Sequence, residues 1–123
     1  MNTRLTKEDQ AIIKKARRNK CSGPIYSEDG LRLLKVLGNP EFVEVEDGVK
    51  AICDYAFLGL NNLHDMVLPA SVVDLGEEAF ASCHKLFKIT KPGVEFIGKE
   101  CFGLCDNLKE IALPETLRQI RAG

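Results

Sequence analysis

Apolar residues recur in this chain at two different intervals. Near the N-terminus the interval is helical: Leu5, Ile12, Ile13 and Ala16 share one face of an α-helix. Thr6 opens that stretch with Asp9 three residues on, a short form of the capping box. The pattern predicts a helix over about residues 6–19, ended by Ser-Gly-Pro at 22–24. Further along, apolar and polar residues alternate. In Asp65–Pro69 the alternation predicts a strand with Met66 and Leu68 inward and Asp65 and Val67 outward. Pro69 ends it, since proline cannot donate to a strand ladder. Residues 71–76 predict a second short extended piece with Val72 and Leu75 inward. Gly76 is expected to allow a tight turn, after which Phe80 plugs the core.

This unit is written several times. Leu63, Leu86 and Leu108 are spaced 23 and 22 apart, and so are Pro69, Pro92 and Pro114, and Phe57, Phe80 and Phe102. Ile52, Leu75, Ile97 and Ile120 form a fourth column, and Val49, Val72, Val94 and Leu117 a fifth. A period of 22–23 residues lies in the leucine-rich-repeat range. One such unit cannot bury its own apolar face, whereas stacked neighbours share a continuous core. The expected fold is therefore an α/β leucine-rich-repeat solenoid: short stacked β-strands joined by turns or short helical segments, plus an N-terminal α-helical cap.

The pattern L-x-x-I-x-L-P-x-x-(x)-L-x-x-I-G-x-x-A-F-x-x-C resembles the BspA-like leucine-rich repeat. Leu63–Cys83 carries it in full. Leu86–Cys105 carries it with Cys101 in the alanine slot, Lys91 in a core-facing slot and one residue fewer after Pro92. Val43–Leu60 is a degenerate copy with Glu46 for Pro, Cys53 for Gly and Leu60 for Cys, and Leu108–Ile120 is a shortened one. The resemblance covers about residues 26–120 and extends to a lead-in hairpin turning at Asp29-Gly30. Residues 1–25 lie outside it and are expected to form a helical cap on the solenoid of 26–123, a lead-in hairpin and about 3.5 repeats, the whole being one domain by length. Members of that family are described on bacterial cell surfaces, where they bind host proteins or neighbouring cells.

The ends matter because a bare end exposes apolar surface and unpaired strand edges. The helix is expected to pack on the first coil. At the other end, Arg121 stands where the family has Gly and no Phe plug follows. Two readings stay open: a fragment of a longer chain, or an open last coil that pairs with a second copy.

Composition narrows the function classes. Hydrophobic residues are 45% and charged residues 28% of 123, with net charge −1, as in ordinary globular domains. No apolar run is long enough to span a bilayer, and the charged first 20 residues lack the apolar stretch of a signal peptide. A cytoplasmic location is expected, with surface or secreted location only if the chain is a fragment. The five cysteines are then expected to be reduced thiols. Residues 1–20 carry seven Lys/Arg against two Asp/Glu, and the remainder ten against sixteen. Such a basic head can bind an anionic surface or nucleic acid, although most charge runs simply face water.

Three motifs suggest chemistry. Gly93–Glu100 approaches P-loop spacing, but its middle is the apolar Val-Glu-Phe-Ile and Glu100 replaces the hydroxyl that would hold magnesium. Cys101-x-x-x-Cys105 beside Cys83-His84 suggests zinc, yet each cysteine falls in a repeat slot used by small apolar residues. Cys83 and Cys105 share one column, so a disulfide between them is open under oxidising conditions. His84 is expected on a turn facing water and His64 beside a strand start, neither with an orienting carboxylate for a Cys–His nucleophile. No cofactor, metal or catalytic residue is expected, and no enzyme.

What remains is a surface. The register predicts two outward columns on the sheet face: Phe42, Asp65, Lys88 and Glu110, then Glu44, Val67, Thr90 and Ala112. Mixed in sign and partly apolar, they suit a protein or peptide better than nucleic acid, which needs clustered Lys/Arg. The expectation is a non-enzymatic protein-interaction module. The alternatives are a structural unit self-assembling through its C-terminal repeat and, more remotely, anionic-surface or nucleic-acid binding through residues 1–20.

Overall fold

The structure, a computed structural model, describes residues 1–90, 93–108, 110–111 and 119–120. Its chain opens with α1 (Lys7–Arg18). Thr6 is the N-cap, and both halves of the capping box form: the Asp9 N–H donates to Thr6 Oγ1 at 3.1 Å and the Thr6 N–H to Asp9 Oδ2 at 2.8 Å. The helix stops three residues before the expected Ser-Gly-Pro. Asn19 is the C-cap, and Lys20 follows in the left-handed region at φ 56°. The Cys21 N–H then donates to Ala16 O and the Lys20 N–H to Arg17 O, the paired bonds of a Schellman ending. Gly23 and Pro24 instead begin the next strand.

That strand, β1 (Gly23–Tyr26), pairs antiparallel with β2 (Arg32–Leu37) around the expected turn. Gly30 takes φ 74° there, and Asp29 Oδ1 accepts from Ser27 Oγ and the Leu31 N–H. From here each repeat contributes one strand to each of two sheets. The pairs are β3 (Phe42–Glu44) and β4 (Ala51–Ile52), β5 (Asp65–Val67) and β6 (Asp74–Leu75), β7 (Lys88–Thr90) and β8 (Phe96–Ile97), β9 (Glu110–Ile111) and β10 (Gln119–Ile120). One sheet runs β1-β2-β4-β6-β8-β10, the other β3-β5-β7-β9, and every pairing after the hairpin is parallel. Short two- and three-residue strands suffice because the next repeat, not strand length, supplies the hydrogen bonds.

The core lies between the two sheets and follows the columns. Val43, Met66 and Ile89 line it from one sheet, Leu33, Ile52, Leu75 and Ile97 from the other, with Leu63, Leu86, Val49, Val72 and Val94 between. Phe57, Phe80 and Phe102 stack along the repeat axis, centroids 4.6 and 5.5 Å apart. The segments carrying these rings are hydrogen-bonded turns. Their amides also bond from one repeat to the next, as in the Phe57 N–H to Ala79 O at 2.7 Å and the Phe80 N–H to Cys101 O at 2.8 Å.

Gly76 serves closeness rather than turning. Its φ is not left-handed, but a Cβ there would stand 2.6 Å from Asp54 N and 2.8 Å from Cys53 C. Gly98, one repeat on, would meet Glu77 N and Gly76 C at 2.6 Å each. Gly93 is likewise held by proximity, since its Cβ would run into Ala70 O. The turns are made instead by residues in the left-handed region, mostly not glycine: Tyr55, Glu78 and Glu100 at one slot, and Gly59, Ser82 and Leu104 at another. Lys91, Pro92, Ala112, Pro114, Leu117 and Arg121 lie outside the described residues.

Candidate functional site

The parallel register sets residues of neighbouring repeats beside each other on β3-β5-β7-β9. Phe42 pairs with Asp65, Asp65 with Lys88 and Lys88 with Glu110; Glu44 pairs with Val67 and Val67 with Thr90. These are the two columns expected from the repeat, save Ala112, which is not described. Val43, Met66 and Ile89 between them point into the core. Outward stand Phe42 at 54% and Val67 at 49% exposure, with Glu44, Lys88 and Thr90 exposed and Asp65 half-buried. Two large apolar side chains thus stand in water beside charges of both signs.

The other sheet is covered at its N-terminal end. Helix α1 lays Ile13 and Ala16 on Leu34 and Leu37 of β2, with Cys53 reaching in from the first repeat. The hairpin, more than the first repeat, is therefore what the helix covers. An ion pair missed in the sequence fastens the junction. Arg32 grips Asp9 with two bonds, Nη1 to Oδ1 at 3.0 Å and Nη2 to Oδ2 at 2.7 Å. It also donates to the carbonyls of Asn2 and Arg4, which ties down the residues before the helix. Burial by itself would raise the Asp9 carboxyl, but the bonds from Arg32 and Thr6 outweigh it and hold the pKa below the ordinary value. Thr3 O accepts from the Asp54 N–H at 2.7 Å, so the leading segment reaches the strand ends of the first repeat.

The motifs that suggested chemistry have structural duties. Between Gly93 and Glu100 runs β8, and the amides of Glu95, Phe96 and Gly98 donate to carbonyls of the preceding repeat. They are not free to cradle a phosphate. The Cys83 thiol donates to Phe57 O at 3.1 Å and the Cys105 thiol to Phe80 O at 3.0 Å. Each closes its repeat on the one before, a role the sequence did not suggest. The interaction of the two neighbouring thiols raises Cys83 and lowers Cys105, while burial pushes Cys53 up to about 11. All five cysteines are free thiols. His84 does have a carboxylate partner, contrary to expectation: Nδ1 lies 3.0 Å from Asp106 Oδ2, both side chains at least half exposed. No group of three His, Cys, Asp or Glu converges on a metal position among the described residues.

Parallel strands repeated every 22–23 residues around an aromatic stack define a leucine-rich-repeat protein. The chain belongs to the BspA type leucine rich repeat family, whose model, a region of 6 copies, matches residues 37–123. That match begins at the last residue of β2, leaving the helix and most of the hairpin outside it. Among solved structures the chain is similar to a leucine-rich repeat protein of T. pallidum, with TM-score 0.71 and 30% identity over 82% of this chain and 51% of that one. It is also similar to a leucine rich cell surface protein from Faecalibacterium prausnitzii, with TM-score 0.71 and 27% identity over 80% of this chain and 27% of that one. The chain thus spans about half of the first and about a quarter of the second. No curated protein matches it. Proteins of this repeat class generally serve interaction or structure rather than catalysis.

Proposed function

We propose that this protein is a non-enzymatic interaction module that binds a protein or peptide on the outer face of β3-β5-β7-β9. The observation that carries the reading is the pair Phe42 and Val67, large apolar side chains about half exposed on strands whose register is set by the repeat. Around them Glu44, Asp65 and Lys88 supply charges of both signs, a rim that tunes specificity while the apolar centre supplies most of the affinity. Helix α1, in the same reading, caps a solenoid by covering the outer side of its first hairpin. The likeness to a cell surface protein extends the range of partners to extracellular ones.

The test is affinity capture with wild type beside a Phe42→Glu, Val67→Lys variant. Both positions are exposed, so folding is little affected. A protein held by the wild type and released by the variant supports the reading. Capture that the variant leaves unchanged overturns it, and recovery of this chain's own copies alone replaces it with self-assembly.

A further inference from the structure

A recess of about 610 Å³ opens between α1 and the turn after β4. Leu5, Ala11 and Ile13 give it apolar walls. Lys7, Lys14 and Arg17 line it from the helix and Lys35 from β2. With Gln10, the three helical cations fall at intervals of 3, 4 and 3 residues, one stripe along the helix. At 1.5 Å per residue that stripe is about 15 Å long. The one carboxylate in the lining, Asp54, accepts from the Glu77 N–H at 2.8 Å. Lys35 Nζ donates to Tyr55 O at 2.8 Å, and burial together with the nearby Arg17 charge lowers its pKa. Among the described residues none of the four cations pairs with a carboxylate, unlike Met1 with Asp74, Arg32 with Asp9 and His84 with Asp106. The recess therefore holds an excess of positive charge around an apolar centre.

We infer that this recess docks an acidic peptide segment, one that sets carboxylates along the Lys7–Lys14–Arg17 stripe and an apolar side chain against Leu5 and Ala11. About four or five extended residues, at 3.3 Å each, span the stripe. Charge complementarity chooses the sign of the partner, and the recess chooses its form. A flat anionic membrane would use an exposed apolar wedge, and the large exposed apolar side chains include none from α1. A nucleic-acid backbone would leave the apolar walls unused.

The probe is a fluorescein-labelled peptide of alternating Glu and Leu, titrated with the full chain and followed by anisotropy. Saturable binding is expected. It weakens about tenfold or more in a Lys14→Glu, Arg17→Glu variant and again as salt rises from about 0.05 to about 0.5 M. A Lys7→Gln, Lys35→Gln variant weakens it too, and Lys85→Glu, away from the recess, leaves it unchanged. Circular dichroism of each variant establishes that the helix persists. Absence of saturation, binding retained by both recess variants, or equal loss in Lys85→Glu overturns the assignment. So does co-sedimentation with phosphatidylserine vesicles in the absence of peptide binding, or a dimer that the recess variants dissolve.

Discussion

Gly98→Ala tests the packing logic of the whole molecule with one methyl group. The φ of Gly98 lies outside the left-handed region, so alanine suffers no conformational penalty there. Its Cβ, however, would stand 2.6 Å from Glu77 N and Gly76 C and 2.8 Å from Gly76 O, where ordinary contact begins at 3.4 Å. Those atoms are backbone and cannot swing aside. Relief requires the repeats to part locally, which lengthens the bond from the Gly98 N–H to Leu75 O, now 2.8 Å. Overpacking of a dry layer costs about 1–3 kcal/mol and a weakened buried amide bond about 1 more, so about 3 kcal/mol is expected.

The control is Gly59→Ala. At φ 72° with nothing within 4 Å, alanine there carries conformational strain alone, about 1 kcal/mol. Urea unfolding followed by circular dichroism reads both, with hydrogen exchange at the Gly98 and Phe96 amides as a local reporter. Cys53 occupies the same slot two repeats before Gly98 and has the opposite requirement. The layer beneath it is the hairpin and helix, and its side chain fills space among Ile13, Ala16, Leu34 and Leu37. Removing that buried side chain in Cys53→Gly costs about 1–2 kcal/mol. If Gly98→Ala costs no more than Gly59→Ala, close backbone approach is not what demands glycine between repeats, and the argument fails.

Further outcomes follow from the helix junction and the turns. Asp9→Ala leaves the Arg32 guanidinium partly buried and unpaired, and is expected to lower the unfolding free energy by about 3 kcal/mol in a denaturant melt. Because the folded Asp9 pKa lies below its unfolded value of 3.8, the ion pair's stabilisation is complete above that value and is lost as pH falls through the folded one. An acid titration of stability should therefore be shallower in Asp9→Asn than in wild type. Leu104 at φ 58° and Lys20 at φ 56° bear strain that glycine removes, so Leu104→Gly and Lys20→Gly should each raise the melting temperature, by about 0.5–1 kcal/mol of added stability. A fall in melting temperature in either would refute the reading of those turns.

The repeat made much of this legible. A fixed period sets which residue lies beside which, so Phe42, Asp65, Lys88 and Glu110 could be aligned by counting, and the pairing follows that count. The same count places Asp106 one period after His84, a signal that was present and unused. Other features had no periodic trace. Asp9 was already accounted for as a capping residue, and nothing in sequence links it to Arg32 across 23 positions. Glycine was assigned to turning because that is its commoner use. Here Glu78 and Ser82 do the turning at φ 49° and 58°, and Gly76 and Gly98 are spent on closeness. The helix ends where expected, with Asn19 as its C-cap, but the stop is made by Lys20 in the left-handed conformation that a glycine would usually provide.

The first twenty residues make two otherwise similar sheets unequal. Each repeat gives both sheets a short parallel strand, yet the helix and the segment before it lie only against the sheet of β2 and β4. This leaves two open surfaces with different physics. On β3-β5-β7-β9 the charges are mixed and the largest side chains are apolar, so affinity there would come from area removed from water and persist at high salt. In the recess beside α1 four cations act together, and a partner held by them feels a field that about 0.15 M salt screens within about 8 Å. Salt thus separates the two modes without any mutation. Under the two proposals, a complex that survives high salt would belong to the sheet face, and one that dissolves to the recess.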